Sequence, residues 1–323
     1  MAIPLALFIF FFVFLLLFGA NMVVAGLRHF SSTSKTSVFT LSAILLALAT
    51  SFPELFVALT SGLEGTSELS LGNVLGANVT NLTLVAGGAA LLAGRVTMQG
   101  AFLQREVWFA LIAGVIPLVL LLDGVISRVD GMILIAIWGA YVVHFFHIRF
   151  VQIAHKLSQE GFWYRFLHKV EVGVSGTAGR EMARLLLGVA LLLFSADVIV
   201  RLSRSLAQDI GIPVFLVGVL VVSIGTTLPE LAFSFRSLAD GEPQMFLGNI
   251  FGSLITNATL VVGIAALLSP IRVELTPALT VGVVFVITYA LFWFFIRTKQ
   301  RLDRFEAALL MVVYILFVIV IRS

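Results

Sequence analysis

The sequence predicts an all-α membrane protein with ten transmembrane helices, arranged as two five-helix repeats of inverted topology. Three observations predict it: an apolar composition, ten long apolar runs and an internal duplication. Hydrophobic residues make up 60% of the 323 residues and charged residues only 11%, whereas soluble domains have about 45–50% apolar and about 25% charged residues. The composition therefore excludes a soluble enzyme, a disordered chain and a nucleic-acid-binding protein. The chain has no Cys, which also excludes disulfides and thiolate metal sites.

Ten apolar runs are long enough to cross the roughly 30 Å of hydrocarbon in a bilayer, which takes about 20 helical residues. The predicted spans are 4–27, 38–62, 70–93, 105–122, 130–149, 185–203, 213–236, 245–268, 276–296 and 305–321. The first run is too long for a signal peptide and has no basic segment before it, so we count it as a span.

Lys and Arg residues predict the orientation, because cytoplasmic loops are enriched in them. With the N-terminus outside, fifteen basic residues lie in inner loops and five in outer loops. We therefore expect a multi-pass protein of the plasma (inner) membrane, monomeric in the lipid bilayer, with both termini outside. The longest loop, 150–184, is predicted to be cytoplasmic and to separate a first repeat, 1–149, from a second, 185–323. Spacing of apolar residues within 162–170 favours a short helix on the inner membrane surface.

The duplication emerges when the chain is compared with itself at a shift of 176 residues. The stretch from Thr50 to Leu55 then aligns with the stretch from Thr226 to Leu231, and 19 of 45 positions are identical between 47–91 and 223–267 without a gap. Each copy holds five spans, an odd number, so the two copies enter the membrane from opposite sides. Many secondary transporters are built in this way, with the substrate site between the repeats. Channels can also be duplicated, so exchange does not follow from the repeat alone.

Two carboxylates, Glu54 and Glu230, lie inside apolar spans at equivalent positions of the two copies. A charge in the membrane interior is costly and points to function. The inverted repeat is expected to bring both residues near the midplane, where one divalent cation would neutralise them. Without a cation, the pair would instead take up protons, because like charges disfavour each other's ionisation.

A proline precedes each carboxylate and predicts a broken helix. Pro53 and Pro229 cannot donate a hydrogen bond to the carbonyl four residues earlier. A broken helix offers backbone oxygens beside a carboxylate, as a hard cation such as Ca²⁺ or Na⁺ requires. Thr50 and Thr226 lie four residues before each Glu, on the same helix face, and add further oxygens.

The second half of each motif supplies amide side chains. Asn81 and Asn257 lie deep in apolar sequence, and we expect them to coordinate an ion; the alternative is a hydrogen bond between helices. Ser253 lies one turn before Asn257. Each copy also has two glycines spaced four residues apart, which predict close helix packing: Gly72 and Gly76, and Gly248 and Gly252.

At these motifs the chain resembles the sodium/calcium exchanger family of the Ca²⁺/cation antiporter superfamily, in its prokaryotic ten-helix form. The family pattern runs roughly G-T-S-x-P-E, then G-N-x-x-G-S-N-x-x-N or D. Here it runs from Ala49 to Glu54 with Gly72 to Asn81, and again from Gly225 to Glu230 with Gly248 to Asn257. The resemblance covers nearly the whole chain.

The resemblance implies a role for each position of the site. Glu54 and Glu230 would be central ligands of both Ca²⁺ and Na⁺, and the carbonyls of Thr50 and Thr226 would complete the Ca²⁺ site. The surrounding Na⁺ sites would use the carbonyls of Ala47 and Ser223, the hydroxyls of Ser51, Thr227 and Ser253, and the side chains of Asn81 and Asn257. The first and sixth helices would slide to alternate access, which places Gly19 and Ser195 on the moving element.

Two departures from the family pattern bear on the counter-ion. Ala77 stands where the family usually has Ser, and Asn257 stands where many sodium-coupled members have Asp. The site then has two carboxylates, which balance one Ca²⁺ or two protons but leave an excess of positive charge with three Na⁺.

The leading prediction is antiport of Ca²⁺ against Na⁺, without a resident cofactor and without enzymatic activity. The T-[ST]-x-P-E form favours this over its alternative, antiport of Ca²⁺ or another divalent cation against H⁺. A passive cation channel is a further alternative. An intramembrane protease would need Asp in a Gly-x-Gly-Asp context, which the sequence does not contain.

Overall fold

The computed structural model describes residues 2–33, 50–97, 101–157, 178–299 and 301–322, and most of them are helical. The first half of the chain comprises α1 Ala2–Thr33, α2 Phe52–Leu63, α3 Ser67–Thr80, the π-helical segment π1 Asn81–Val85, α4 Ala86–Ala93, β1 Arg95–Thr97, α5 Ala101–Leu120, a 3₁₀ turn Leu121–Asp123, β2 Val125–Ile126 and α6 Arg128–Leu157.

The second half repeats this order closely. It comprises α7 Ala178–Ile210, α8 Val214–Val217, π2 Gly218–Val222, α9 Ser223–Thr226, α10 Leu228–Ala239, α11 Pro243–Thr256, π3 Asn257–Val261, α12 Val262–Leu268, β3 Ile271–Arg272, α13 Leu275–Lys299, β4 Arg301–Asp303 and α14 Arg304–Arg322.

Seven helical stretches within the described ranges are long and apolar enough to cross a membrane. They are Pro4–Met22, Ser67–Ala93, Leu186–Ile210, Val214–Ala239, Pro243–Leu268, Leu275–Arg297 and Arg304–Ile321. Each overlaps one predicted span.

The other three predicted spans are also mostly helical where the structure describes them. Of 38–62, the described helix is the short apolar α2; 105–122 lies mostly in α5, and 130–149 lies in α6. α6 continues to Leu157 and α7 begins at Ala178, so both reach into the predicted linker 150–184. The predicted surface helix at 162–170 lies outside the described residues.

Four short strands correct the expectation of an entirely helical chain. β1 pairs with β4 in antiparallel register, Arg95 opposite Asp303, and β2 pairs with β3, Val125 opposite Arg272. Strands of two or three residues are too short for an alternating pattern to show in sequence. Each pair joins the two halves of the chain and gives hydrogen-bond partners to backbone groups where the helices end.

Buried apolar side chains form two clusters. The larger one fills the space between α3, α4, α5 and the helices from α11 to α14. The smaller one lies mainly between α1 and α7, where Ile9, Val13 and Leu16 pack against Leu192 and Ile199. α1 and α7 therefore pack chiefly against each other and form a unit beside the main core.

A small residue lets α1 and α7 cross closely. A Cβ added at Gly19 would lie 3.0 Å from the carbonyl oxygen of Gly188 and 3.1 Å from the backbone nitrogen of Leu192.

Near the C-terminal end of α7, Arg201 and Arg204 each contact the Glu64 carboxylate at 3.5 Å. Burial, with a hydrogen bond to Asp197, raises the pKa of Glu64, and the two arginines act against this rise.

The predicted close approach of glycines is confirmed at Gly72 and Gly76. A Cβ at Gly72 would overlap the carbonyl of Phe215, and one at Gly76 would lie 2.5 Å from the carbonyl oxygen of Val219. α3 therefore packs directly against the backbone of α8 and π2. At Gly248 no described residue comes within 4 Å of an added Cβ, and for Gly252 close packing stays a prediction.

We expect Gly218→Ala to destabilise the fold by about 1–3 kcal/mol, as overpacking of a tight core does. Its Cβ would lie 2.5 Å from the carbonyl oxygen of Leu69 and 2.8 Å from the backbone nitrogen of Asn73, and neither atom can move without shifting α3. Thermal unfolding in detergent measures the effect. Gly139→Ala is the matched control, since no described atom lies within 4 Å of a Cβ there. Equal melting temperatures for the two variants would contradict the close packing.

Candidate functional site

Two helix breaks place the predicted carboxylates. α2 begins after Ser51 and α10 after Thr227, and these two residues have ψ angles of 5° and 0°, far from the roughly −42° of an α-helix. Pro53 and Pro229 occupy the first turn that follows, where a helix tolerates a missing N–H. The backbone is therefore interrupted beside each proline, as the sequence predicts.

Glu54 and Glu230 lie in the first turns of α2 and α10 and are both 0% exposed. The positive end of a helix dipole favours an anion at this position. The two carboxylates lie close enough for the charge of Glu54 to act on Glu230. The structure therefore brings together the two acidic residues that the repeat places at equivalent positions.

Each threonine at one break lies beside the carboxylate of the other. The Thr226 hydroxyl lies near Glu54, and the Thr50 hydroxyl lies near Glu230. The two breaks thus cross, and each contributes one carboxylate and one threonine to a shared site.

Two asparagines support these threonines from the opposite half of the chain. Thr50 Oγ1 donates to Asn249 Oδ1 at 3.2 Å, and Thr226 Oγ1 donates to Asn73 Oδ1 at 3.0 Å. Neither asparagine was predicted from the sequence to have a role at the site. Their signal was the Gly-Asn pair that recurs unchanged at the 176-residue shift.

The two halves of the site differ at one position. Ser253 Oγ donates to Glu230 Oε1 at 3.4 Å and lies 3.3 Å from Thr50 Oγ1. The equivalent residue, Ala77, has no hydroxyl. Within the described ranges neither oxygen of Glu54 has a hydrogen-bond partner.

Further buried polar atoms near the breaks have no hydrogen-bond partner in the part of the chain that the structure describes. They include Ser51 Oγ, Glu230 Oε2, the carboxamide atoms of Asn81 and Asn257, and the Nδ2 atoms of Asn73 and Asn249. Buried polar groups are normally hydrogen-bonded, so a group of unpaired carboxylate, hydroxyl and amide oxygens suits a hard cation that binds through oxygen. Among the described residues no group of three or more His, Cys, Asp and Glu could hold a metal, and the acidic pair supplies the only charges of this set.

The remaining predicted ligands are placed differently. Thr227 Oγ1 and Thr227 N donate to the Ser223 carbonyl at 2.9 and 3.2 Å, so these two predicted ligands bind each other in this conformation. Ala47 lies outside the described residues. Asn81 and Asn257 begin the π segments π1 and π3, a helix form that is frequent at functional sites and that the sequence pattern did not predict.

Comparison with known proteins identifies the family. The model of the sodium/calcium exchanger protein family matches residues 4–147 and 181–322. The chain belongs to the sodium/calcium exchanger family. This confirms the resemblance at the paired motifs, and the family is one of membrane transporters rather than enzymes.

Three similar proteins align with most of this chain and with most of their own length. Sodium/calcium exchanger MaX1 of Methanosarcina acetivorans is 27% identical over 95% of this chain and 97% of that protein. Inner membrane protein YrbG of Escherichia coli K12 is 29% identical over 265 residues, 80% and 78% of the two chains. A solved structure of the sodium-calcium exchanger NCX_Mj aligns with a TM-score of 0.63 at 22% identity over 98% of both chains, so the fold is shared.

We expect a divalent cation to stabilise the purified protein. A ligand that binds only the folded state adds about 2.7 kcal/mol at a hundredfold excess over its dissociation constant. Ca²⁺ should therefore raise the melting temperature of the wild type, measured against choline at equal ionic strength, and should leave Glu54→Gln unchanged. Glu242→Gln, at an exposed residue, should respond like the wild type. An equal Ca²⁺ shift in Glu54→Gln would contradict this assignment of the site.

Proposed function

We propose that this chain is a secondary active antiporter that exchanges Ca²⁺ for Na⁺, binding the ions in alternation between Glu54 and Glu230. The observation that carries the proposal is the pairing of two fully buried carboxylates from separate halves of the chain. One Ca²⁺ neutralises both charges, which accounts for their presence in an apolar interior. MaX1 and NCX_Mj, which align over nearly the whole chain, both bear the name of sodium/calcium exchangers.

The proposed ligands are oxygens grouped around this pair. Ca²⁺ binds Glu54, Glu230 and the carbonyls of Thr50 and Thr226. Na⁺ uses the same carboxylates together with surrounding ligands: the carbonyls of Ala47 and Ser223, the hydroxyls of Ser51, Thr227 and Ser253, and the side chains of Asn81 and Asn257. The buried, unpaired atoms of Ser51, Asn81 and Asn257 support this set, whereas Thr227 must leave the Ser223 carbonyl before either can bind an ion.

The proposed architecture has ten transmembrane helices in inverted repeats, 1–149 and 185–323, joined by a cytoplasmic linker at 150–184. The shift of 176 residues places β1 on β3 and β2 on β4. Each strand of one antiparallel pair therefore corresponds to a strand of the other pair. The same shift places π1 on π3. An inverted repeat explains both relations, since each strand pair would then close one side of the membrane.

The proposed location is the inner membrane, with both termini outside, and the name of YrbG, an inner membrane protein, agrees with it. One chain contributes both halves of the site, so a monomer in the bilayer suffices for exchange. The transported ions are cargo, and no resident cofactor is required.

A Na⁺ gradient should drive Ca²⁺ flux in proteoliposomes that contain the purified protein. With Na⁺ inside and Ca²⁺ outside, uptake should exceed that of choline-loaded vesicles by at least about tenfold, because one site must exchange one ion for the other. A pH gradient of the same size should add little. Uptake that follows the pH gradient and ignores Na⁺ would establish H⁺ coupling instead, and uptake that needs no counter-ion would indicate a channel.

Glu54→Gln and Glu230→Gln should each abolish Na⁺-driven Ca²⁺ uptake. Gln keeps the size of the side chain and removes the charge, so a single carboxylate would face the divalent cation in an interior where unbalanced charge is costly. Glu242→Gln serves as the control and should transport at the wild-type rate. Full transport by either buried variant would refute the shared site.

A further inference from the structure

We propose that Asn73 is a positioning residue for the ion site, and that Asn249 has the same role with a weaker effect. The Asn73 carboxamide oxygen accepts a hydrogen bond from the Thr226 hydroxyl and thereby directs that hydrogen away from the Glu54 carboxylate, whose oxygens stay free for the cation. The inference rests on the proposed function, because it concerns the affinity of that same site.

The contact itself is buried and crosses the halves of the chain. Asn73 is 0% exposed and lies on α3, whereas Thr226 is the last residue of α9. Their hydrogen bond, 3.0 Å from Thr226 Oγ1 to Asn73 Oδ1, joins residues 153 positions apart. The equivalent pair, Thr50 and Asn249, forms the equivalent bond at 3.2 Å, so the contact is built twice.

The effect follows from the single proton of a hydroxyl group. A threonine hydroxyl has one hydrogen to donate and two lone pairs, and an ionised carboxylate can only accept. Thr226 lies beside Glu54. Without the Asn73 oxygen, its proton has Glu54 as the strongest neighbouring acceptor, since the Ser223 carbonyl is 3.4 Å away and neutral. A hydrogen bond donated to Glu54 would occupy a carboxylate lone pair that the cation needs.

The two asparagines should not be equally important. If Asn249 is removed, the Thr50 hydroxyl still has Ser253 Oγ at 3.3 Å, and Ser253 itself donates to Glu230. The equivalent of Ser253 on the other side is Ala77, whose side chain can accept no hydrogen bond. Loss of Asn73 therefore exposes Glu54 to the Thr226 proton, whereas loss of Asn249 is partly compensated.

The experiment measures initial rates of Ca²⁺ uptake into Na⁺-loaded proteoliposomes over a range of Ca²⁺ concentrations. Asn73→Ala should raise the KM for Ca²⁺ about tenfold, in the range expected for a hydrogen bond to a charged group, and should change kcat by less than about threefold. Asn249→Ala should raise KM by no more than about threefold. An unchanged KM in Asn73→Ala, or a larger rise in Asn249→Ala, would overturn the proposal.

A double variant separates positioning from packing. The variant Asn73→Ala with Thr226→Val lacks the competing hydroxyl but keeps the backbone carbonyl at position 226. Its KM for Ca²⁺ should therefore fall back toward the wild-type value. A merely structural contact predicts the opposite, a KM at least as high as that of Asn73→Ala alone, and that result would contradict the proposal.

Asn73→Asp covers the case in which the alanine variant does not fold. Asp keeps an acceptor oxygen for Thr226 and adds a negative charge, so the KM for Ca²⁺ should not exceed that of the wild type; a tenfold rise would overturn the proposal. Glu54→Gln is measured alongside. If it transports normally, the proposed function itself fails, whereas an inactive Glu54→Gln with a normal Asn73→Ala rejects the positioning role alone.

Discussion

The repulsion between two carboxylates in an apolar interior is the constraint on which this structure depends. Glu54 and Glu230 are fully buried, and the charge of one acts on the other. In a medium of low dielectric constant such a pair is stable only when it is neutralised by a cation or by protons. A bound cation therefore balances charges that would otherwise be left unpaired in the apolar interior. Ions that bind in alternation can replace one another only by competing for the same oxygens.

The fold holds the carboxylates together by repeating one device in both halves. Each helix is interrupted before a proline, and the new helix begins with its positive end at the carboxylate. α3 carries Asn73 to the second break, and α11 carries Asn249 to the first. Because each half supplies a hydrogen-bond partner to the break in the other, neither half could form this arrangement alone.

Much of this arrangement could be predicted from the sequence because the chain contains two copies of the same motifs, which can be compared with each other. The Pro-Glu pairs and the Gly-Asn pairs recur at a constant shift, and this predicted the breaks, the paired carboxylates and the tight packing at Gly72. The short strands were not predictable, since paired strands lie roughly 150 residues (β2 and β3) or roughly 200 residues (β1 and β4) apart in the sequence. The threonine–asparagine bonds were missed for the same reason, because they depend on how the halves cross and not on local pattern. The engagement of Thr227 with Ser223 depends on the conformation of the break itself.

Anomalous X-ray scattering from crystals soaked with Sr²⁺, a divalent cation that stands in for Ca²⁺, tests the shared site most directly. We expect one strong anomalous peak per chain, roughly 2.6 Å from carboxylate oxygens of both Glu54 and Glu230, as for a large divalent cation bound by oxygen. The peak should vanish when the same crystals are soaked with excess Na⁺. A strong peak that contacts only one of the two carboxylates, or that persists in a Glu54→Gln, Glu230→Gln double variant, would contradict the account.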